Sequence, residues 1–236
     1  MRSIVAARVV PATLRGPAAA FPVVVAALGN LAIAATVLTR WGTGPDGTEL
    51  ALRTTARVSL VWFLLAFLAT PAARLWPGRV TTWLVRQRGT FGVVFGLSMS
   101  IHVACILRLF YLFAPERPPM VNTADFTIGI PGLVLVALMT ITSITVIRRA
   151  VGPVAWDRLH RTGLWVVWSI FVLCLIDSVS RKTTAHPVLA YHVFITLLVG
   201  AAMLRLVAAR RPRVIPGAIL PRHLDDSAAA RLSARR

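Results

Sequence analysis

Six long apolar segments dominate the chain, and each is about as long as a helix that crosses a bilayer. They cover residues 21–39, 58–76, 90–113, 126–147, 162–179 and 187–207. About 20 mostly apolar residues cross roughly 30 Å of hydrocarbon, where helices satisfy their own backbone polar groups. The composition agrees, since 57% of the residues are hydrophobic and 14% are charged. The sequence therefore predicts an all-α polytopic membrane protein, a bundle of six transmembrane helices with both termini on one side.

The basic residues are distributed unevenly among the predicted connections. The chain has 26 Lys and Arg against 8 Asp and Glu, a net charge of +18, and 19 of the 26 fall on the side of the termini. Short loops rich in Lys and Arg stay in the cytoplasm. We therefore predict a bacterial cytoplasmic (inner) membrane protein with a basic cytoplasmic arm at 1–20, six helices at 21–207 and a basic, disordered cytoplasmic tail at 208–236. Its partner is the lipid bilayer and not nucleic acid, because the basic residues lie between apolar spans.

Three histidines lie in or at the ends of the spans, where ionisable groups are costly and by default indicate function. His102 lies in the third span, His160 at the start of the fifth and His192 early in the sixth. The simpler interpretation of each is an interhelical hydrogen bond.

The spacing of these residues predicts two levels across the membrane. Arg88 precedes His102 by 14 residues, about 21 Å along a helix. In the fifth span, which runs parallel to the third, Leu173 and Cys174 follow His160 by 13 and 14 residues. Arg88 and His160 would share an inner level, and His102 would share an outer level with position 173 or 174. Paired levels on neighbouring helices are what a haem held edge-on in a bundle requires.

Three stretches carry motifs at matching helix ends: RQRGTFGVVFGLSMSIH at 86–102, the Thr142-Ser143 pair, and RRAVGPVAWDRLHRTG at 148–163. Together they resemble the ferric reductase-like transmembrane domain family. Within that family the chain is similar to the short bacterial members without a fused flavin domain, such as the haem-bearing membrane subunit of the periplasmic methionine sulfoxide reductase system. The resemblance implies haem b between the third and fifth spans, with His102 and His160 as axial ligand candidates.

The chain departs from the family pattern at the second histidine of the fifth span, where it has Leu173 followed by Cys174. His102 and His160 would lie at different levels, so they could not share one iron. Three arrangements for one or two haems remain open. We prefer His192 beside His102 at an outer haem. Cys174 could instead ligate the iron, at a very low potential, or His160 could hold an inner haem with Arg88 opposite or near a propionate.

The leading hypothesis is a transmembrane electron-transfer protein that carries b-type haem, acting as an oxidoreductase or as the electron-transfer subunit of a partner reductase. No G-x-G-x-x-G follows a strand, so NAD(P)H is not bound through a Rossmann unit. Electrons would come from a cytoplasmic flavoreductase, a flavin supplied by such a partner, or quinol. A periplasmic acceptor protein would dock on the Pro-rich outer loop at 114–125. The rival hypothesis is a haem-free protein of the same fold, acting as a scaffold, a partner subunit or a transporter component.

Overall fold

The computed structural model describes residues 17–113, 123–180 and 188–211, and these ranges contain seven α-helices and no strand. The helices are α1 Pro17–Trp41, α2 Pro45–Leu75, α3 Arg79–Phe113, α4 Thr123–Ile141, α5 Thr145–Val151, α6 Pro153–Ser180 and α7 Val188–Arg210. Five are long and apolar enough to cross a membrane, and α4 with α5 is a sixth candidate that is bent by 104°. The predicted all-helical, multi-pass architecture is confirmed, and the cytoplasmic placing of both termini stays a prediction. Most of the basic arm, the outer loop at 114–122 and the tail from residue 212 lie outside the described residues.

Three helices are much longer than the apolar segments that predicted them. α2 begins at Pro45 and not near 58, α3 begins at Arg79 and not near 90, and α6 begins at Pro153 and not near 162. At 1.5 Å per residue, the 31 residues of α2 and the 35 residues of α3 extend about 46 and 52 Å, beyond the hydrocarbon layer. An i,i+4 ion pair between Glu49 and Arg53 lies in the added part of α2, and such pairs stabilise helix outside an apolar segment. Most of the two predicted connections before α2 and α3 is therefore helical.

α2 and α3 form an antiparallel pair that side-chain hydrogen bonds join along most of its length. The bonded pairs are Thr48 with Arg108 (3.2 Å), Thr55 with His102 (3.3 Å), Ser59 with Ser98 (2.8 Å) and Thr70 with Arg88 (3.3 Å). From one bonded pair to the next, the residue number on α3 falls by almost as much as the residue number on α2 rises. The two helices therefore keep a single register throughout. We call the two ends of this pair the Arg88 end and the Arg108 end.

α4 and α6 also pack against each other, and glycines allow their close approach. A Cβ atom at Gly132 would collide with the Ile170 side chain, and one at Gly163 would collide with the Met139 side chain. Small residues at such positions let membrane helices approach closely. This approach brings the N-terminal half of α6 against the C-terminal end of α4.

Aromatic rings fill the middle of the bundle between α2, α3 and α6. The ring centroid of Phe63 lies 5.3 Å from that of Phe67, 5.6 Å from that of Phe95 on α3 and 5.4 Å from that of Phe171 on α6. Phe67 also makes an edge-on contact with Trp165 of α6, at 5.4 Å. These rings belong to the main buried cluster of the protein.

α1 and α7 flank this cluster. Trp62 Nε1 donates to Asn30 Oδ1 at 3.3 Å and joins α2 to α1. On the other flank, Leu198 and Ala201 of α7 are buried in the cluster, and Trp168 Nε1 donates to the Leu198 carbonyl at 2.9 Å. Large apolar side chains remain exposed on the outside of every long helix, as expected of a surface that faces lipid.

Candidate functional site

His102 lies half-buried on α3 against α2. Its Nδ1 is 3.1 Å from the Leu52 carbonyl oxygen and 3.3 Å from Thr55 Oγ1. An imidazole that donates Nδ1–H to a backbone carbonyl keeps a lone pair on Nε2, and this second hydrogen bond is a common feature of metal-ligating histidines. The same bond also serves simply to join two membrane helices. His102 therefore has one feature of a metal ligand, but the same geometry fits a histidine that only forms an interhelical hydrogen bond.

Arg88 lies half-buried at the end of the bundle that bears its name. Its Nη1 donates to Thr70 Oγ1 of α2 at 3.3 Å. Thr70 lies about one turn beyond Phe67, whose ring contacts Trp165 of α6, and His160 lies five residues before Trp165. Arg88 and His160 therefore lie toward the same end of the bundle.

His160 and Trp156 of α6 lie against the C-terminal end of α4, where the helix is interrupted at residues 142–144. The last carbonyls of a helix have no partner within the helix. His160 Nε2 lies 3.2 Å from the Met139 carbonyl oxygen, and Trp156 Nε1 donates to the Thr142 carbonyl at 3.0 Å. His160 Nδ1 lies 3.0 Å from the Trp156 carbonyl oxygen, and the two rings stack with centroids 4.0 Å apart. Both ring nitrogens of His160 thus face carbonyl oxygens, so Nε2 would have to leave Met139 to bind an iron.

Other residues of the family-like motifs belong to this same helix end. Thr142 Oγ1 donates to the Leu138 carbonyl at 2.7 Å, and Ser143 Oγ donates to the Met139 carbonyl at 2.8 Å. The Arg148 guanidinium lies 4.1 Å from the centroid of the Trp156 ring. These motif residues therefore have a structural role in ending α4 and turning the chain into α5.

The other ligand candidates lie on the surface of the described bundle. His192 on α7 is exposed, Cys174 on α6 is exposed, and Leu173 is 49% exposed. The hydrogen bonds described for His102 go to Leu52 and Thr55 of α2, whereas His160 lies against the end of α4. These two histidines are therefore not brought together, and which histidine could ligate an iron stays a prediction.

A haem held edge-on between α3 and α6 needs an open slot between those helices. The ring centroids of Phe95 and Phe171 instead lie 6.2 Å apart, and Phe63 contacts both rings. Two surface grooves, of about 440 and 300 Å³, lie over α4 and α6 and on α1, and no candidate histidine lines either one. Among the described residues, no three His, Cys, Asp or Glu side chains form a metal-binding group, although a haem needs only two. These rings lie at mid-depth, about 10 Å along α3 from both Arg88 and His102, and at that depth the described residues leave no slot for a haem between α3 and α6.

Comparison of the chain with protein-family models, with curated protein sequences and with solved structures finds no match. The likeness to the ferric reductase-like family accordingly remains a resemblance of motifs.

Arg205 of α7 is a polar residue of the interior that the sequence reasoning treats only as part of the charge asymmetry. Its Nη1 donates to the Phe67 carbonyl at 2.8 Å, and its guanidinium carbon lies 4.4 Å from the Phe67 ring centroid and 5.7 Å from that of Trp165. Two signals could have found it. Arg205 falls inside the sixth apolar segment, and Pro71 has no N–H to offer the Phe67 carbonyl four residues before it.

Proposed function

We propose that this protein is a multi-pass membrane subunit that works without haem, as a scaffold or partner subunit of a membrane complex. The observation that carries the proposal is the packing of Phe63, Phe95 and Phe171 between α3 and α6, the two helices that the family resemblance would place on either side of a macrocycle. Protein interiors are packed as densely as organic crystals, so a flat macrocycle could enter only if α3 or α6 moved. The missing second histidine of the fifth span supports the same proposal.

The polar contacts of α2 and α3 favour a scaffold or partner subunit over a transporter component. Ser59 and Ser98, both buried, bond to each other at 2.8 Å. Polar groups that serve transport line a water-filled cavity or a substrate path, whereas these join two helices. Beyond Ser59 along α2, the rings of Phe63 and Phe67 occupy the interior. The described bundle is therefore better suited to holding a shape than to passing a solute.

The test is spectroscopic. The full chain is expressed in haem-replete cells and purified in mild detergent beside a known b-type haem membrane protein as the positive control. We expect the reduced-minus-oxidised spectrum of this chain to lack an alpha band and its solvent extract to lack stoichiometric haem. A sharp alpha band with one or more haems per chain would refute the proposal. Blue-native electrophoresis of native membranes then tests the partner role, since a subunit should migrate in a larger complex than the purified chain.

The second candidate function is transmembrane electron transfer through b-type haem at the cytoplasmic membrane, from a flavoreductase or quinol to a periplasmic acceptor. Its specific support is the hydrogen-bond distance between His102 Nδ1 and the Leu52 carbonyl, which suits an axial ligand. A bound haem would supply one-electron chemistry, and His102 would hold it near the Arg108 end.

Histidine variants test this second candidate. If haem is found, His102→Ala should abolish an outer centre, while His223→Ala in the tail serves as the matched control. Loss of the bis-histidine spectrum in His192→Ala would support the preferred pairing, and its retention would exclude His192 as a ligand. Loss of a separate centre in His160→Ala would identify an inner haem.

A further inference from the structure

Four arginines from four different helices converge at the Arg88 end of the bundle. Two of them meet the last turns of α2: Arg205 bonds the Phe67 carbonyl at 2.8 Å, and Arg88 bonds Thr70 Oγ1 at 3.3 Å. Arg74 lies one helical turn beyond Thr70, on the same face of α2. The fourth is Arg161 of α6. Phe67, Thr70 and Arg74 follow one another within two helical turns of α2, so Arg205, Arg88 and Arg74 lie at the same end of that helix.

The position of Arg161 on α6 places it at the same end of the bundle as the other three arginines. The Arg205 guanidinium carbon lies 5.7 Å from the ring centroid of Trp165 on α6. Arg161 precedes Trp165 by four residues, which places the two on one face of the helix. α2, α3, α6 and α7 therefore each contribute one arginine to the same end of the bundle.

Among the described residues, the positive charge of this cluster is only partly balanced. The ion pair described for the four arginines is that of Asp157 with Arg161. One carboxylate beside four guanidinium groups leaves an excess of positive charge in this part of the chain. Like charges repel strongly where the dielectric constant is low, and Arg88 and Arg205 are both half-buried. The arrangement is stable in a membrane if an anion neutralises it.

The geometry favours a phosphate-bearing anion. Guanidinium groups present several N–H donors in a planar fork that suits phosphate oxygens. Arg88 and Arg205 are half-buried, and Arg74 and Arg161, which we call the rim arginines, are exposed. Basic pockets between transmembrane helices bind anionic lipid headgroups in this way. Exposed Trp76, at the same end of the bundle, would contact the acyl region.

We propose that Arg74, Arg88, Arg161 and Arg205 bind the phosphate group of an anionic molecule, with the headgroup of an anionic phospholipid as its source. The site holds the Arg88 ends of four helices together through one shared ligand. This inference goes beyond the proposed function and does not depend on haem. Each basic residue near an anionic lipid contributes enough to weaken binding about fivefold when it is removed, so loss of two rim arginines should weaken it about 30-fold.

The experiment titrates the purified full chain with phosphatidylglycerol in mixed micelles and measures the apparent Kd from the rise in the unfolding temperature. Phosphatidylcholine, which is zwitterionic, is the negative-control lipid. Inorganic phosphate tests whether a soluble anion, and not a lipid headgroup, supplies the bound phosphate. The test variant combines Arg74→Gln with Arg161→Gln. The matched control combines Arg79→Gln with Arg149→Gln, which removes two exposed arginines outside the cluster.

We expect phosphatidylglycerol to raise the unfolding temperature of the wild type and of the control alike. The rim variant should bind it about 30-fold more weakly. If inorganic phosphate stabilised the protein as much as phosphatidylglycerol does, the site would bind phosphate but its ligand would not be a lipid. An equal response of all variants would overturn the site itself. If the rim variant does not fold, a second variant combines Arg74→Lys with Arg161→Lys and keeps the charge. A lower affinity of this variant for phosphatidylglycerol would still show that the planar guanidinium groups contribute to binding.

Discussion

The bond between Arg205 and the Phe67 carbonyl gives a prediction that can be worked through quantitatively. In a regular helix this carbonyl would accept the N–H of residue 71, but Pro71 has none. Arg205 Nη1 donates to it at 2.8 Å instead. The arginine of α7 therefore satisfies a backbone group that a proline in α2 leaves without a partner. If this is so, the stability contributions of Pro71 and Arg205 must be coupled.

The expected cost of Arg205→Met has two parts. Interhelical hydrogen bonds in a membrane protein average about 0.6 and reach about 1.7 kcal/mol, so about 1 kcal/mol is assigned to this charge-assisted one. The contacts with the rings of Phe67 and Trp165 contribute about 0.5–1 kcal/mol each, which the desolvation of the guanidinium and its repulsion by the neighbouring arginines partly offset. We therefore expect Arg205→Met to lower the free energy of unfolding by about 2 kcal/mol. Only the hydrogen-bond part depends on Pro71.

A double-mutant cycle isolates that part. The N–H that Pro71→Ala introduces can donate to the Phe67 carbonyl, so in this background Arg205→Met should cost only about 1 kcal/mol. Unfolding in mixed micelles with increasing dodecyl sulfate, followed through the fluorescence of the 7 tryptophans, measures both values. Arg210→Met, at an exposed position on the same helix, is the matched control. An equal cost of Arg205→Met in both backgrounds would refute the reasoning.

Three further predictions follow from the packing and the charge distribution. Gly96→Ala should cost about 1–3 kcal/mol, because the added methyl would collide with Thr140, whereas Gly92→Ala, with nothing within 4 Å, should be neutral or stabilising; equal unfolding curves would contradict this. Ser59→Ala and Ser98→Ala should show a coupling of about 0.6 kcal/mol in a double-mutant cycle, and additive effects would mean that the bond does not form. A C-terminal green fluorescent protein fusion should fluoresce and an alkaline phosphatase fusion should be inactive, whereas the reverse pattern would overturn the assignment of the basic side to the cytoplasm.

The helices that the sequence predicts correctly are those that local composition alone determines. Apolar runs at 21–39 and 187–207 become α1 and α7 with boundaries shifted by a few residues. The extents of α2 and α3 are missed because their added turns hold polar residues. Contacts across the pair, such as that of Thr48 with Arg108 at 3.2 Å, join residues far apart in the sequence and cannot be predicted from hydropathy.

The candidate site is less accessible to the same reasoning. Helical rise alone predicts one level for Arg88 and His160, and the contacts of Arg88 with Thr70 and of Phe67 with Trp165 place both residues toward the same end of the bundle. Helical spacing gives no rotation about the axis, so it could not tell that His160 faces α4 and that Leu173 is 49% exposed. Nor could it tell that Phe63 of α2 contacts both Phe95 and Phe171, because that depends on how three helices pack.

The bend between α4 and α5 has a consequence for how deeply the protein sits in the bilayer. α5 turns from α4 by 104°, so with α4 upright it runs along the membrane surface like a flange. Arg149 on this flange is exposed, and Arg148 is held over Trp156 at 4.1 Å. Pushing the bundle inward would drag both guanidinium groups into hydrocarbon. This arrangement favours an immersion depth that keeps both guanidinium groups of α5 out of the hydrocarbon, and the ends of the long α2 and α3 then project from the bilayer.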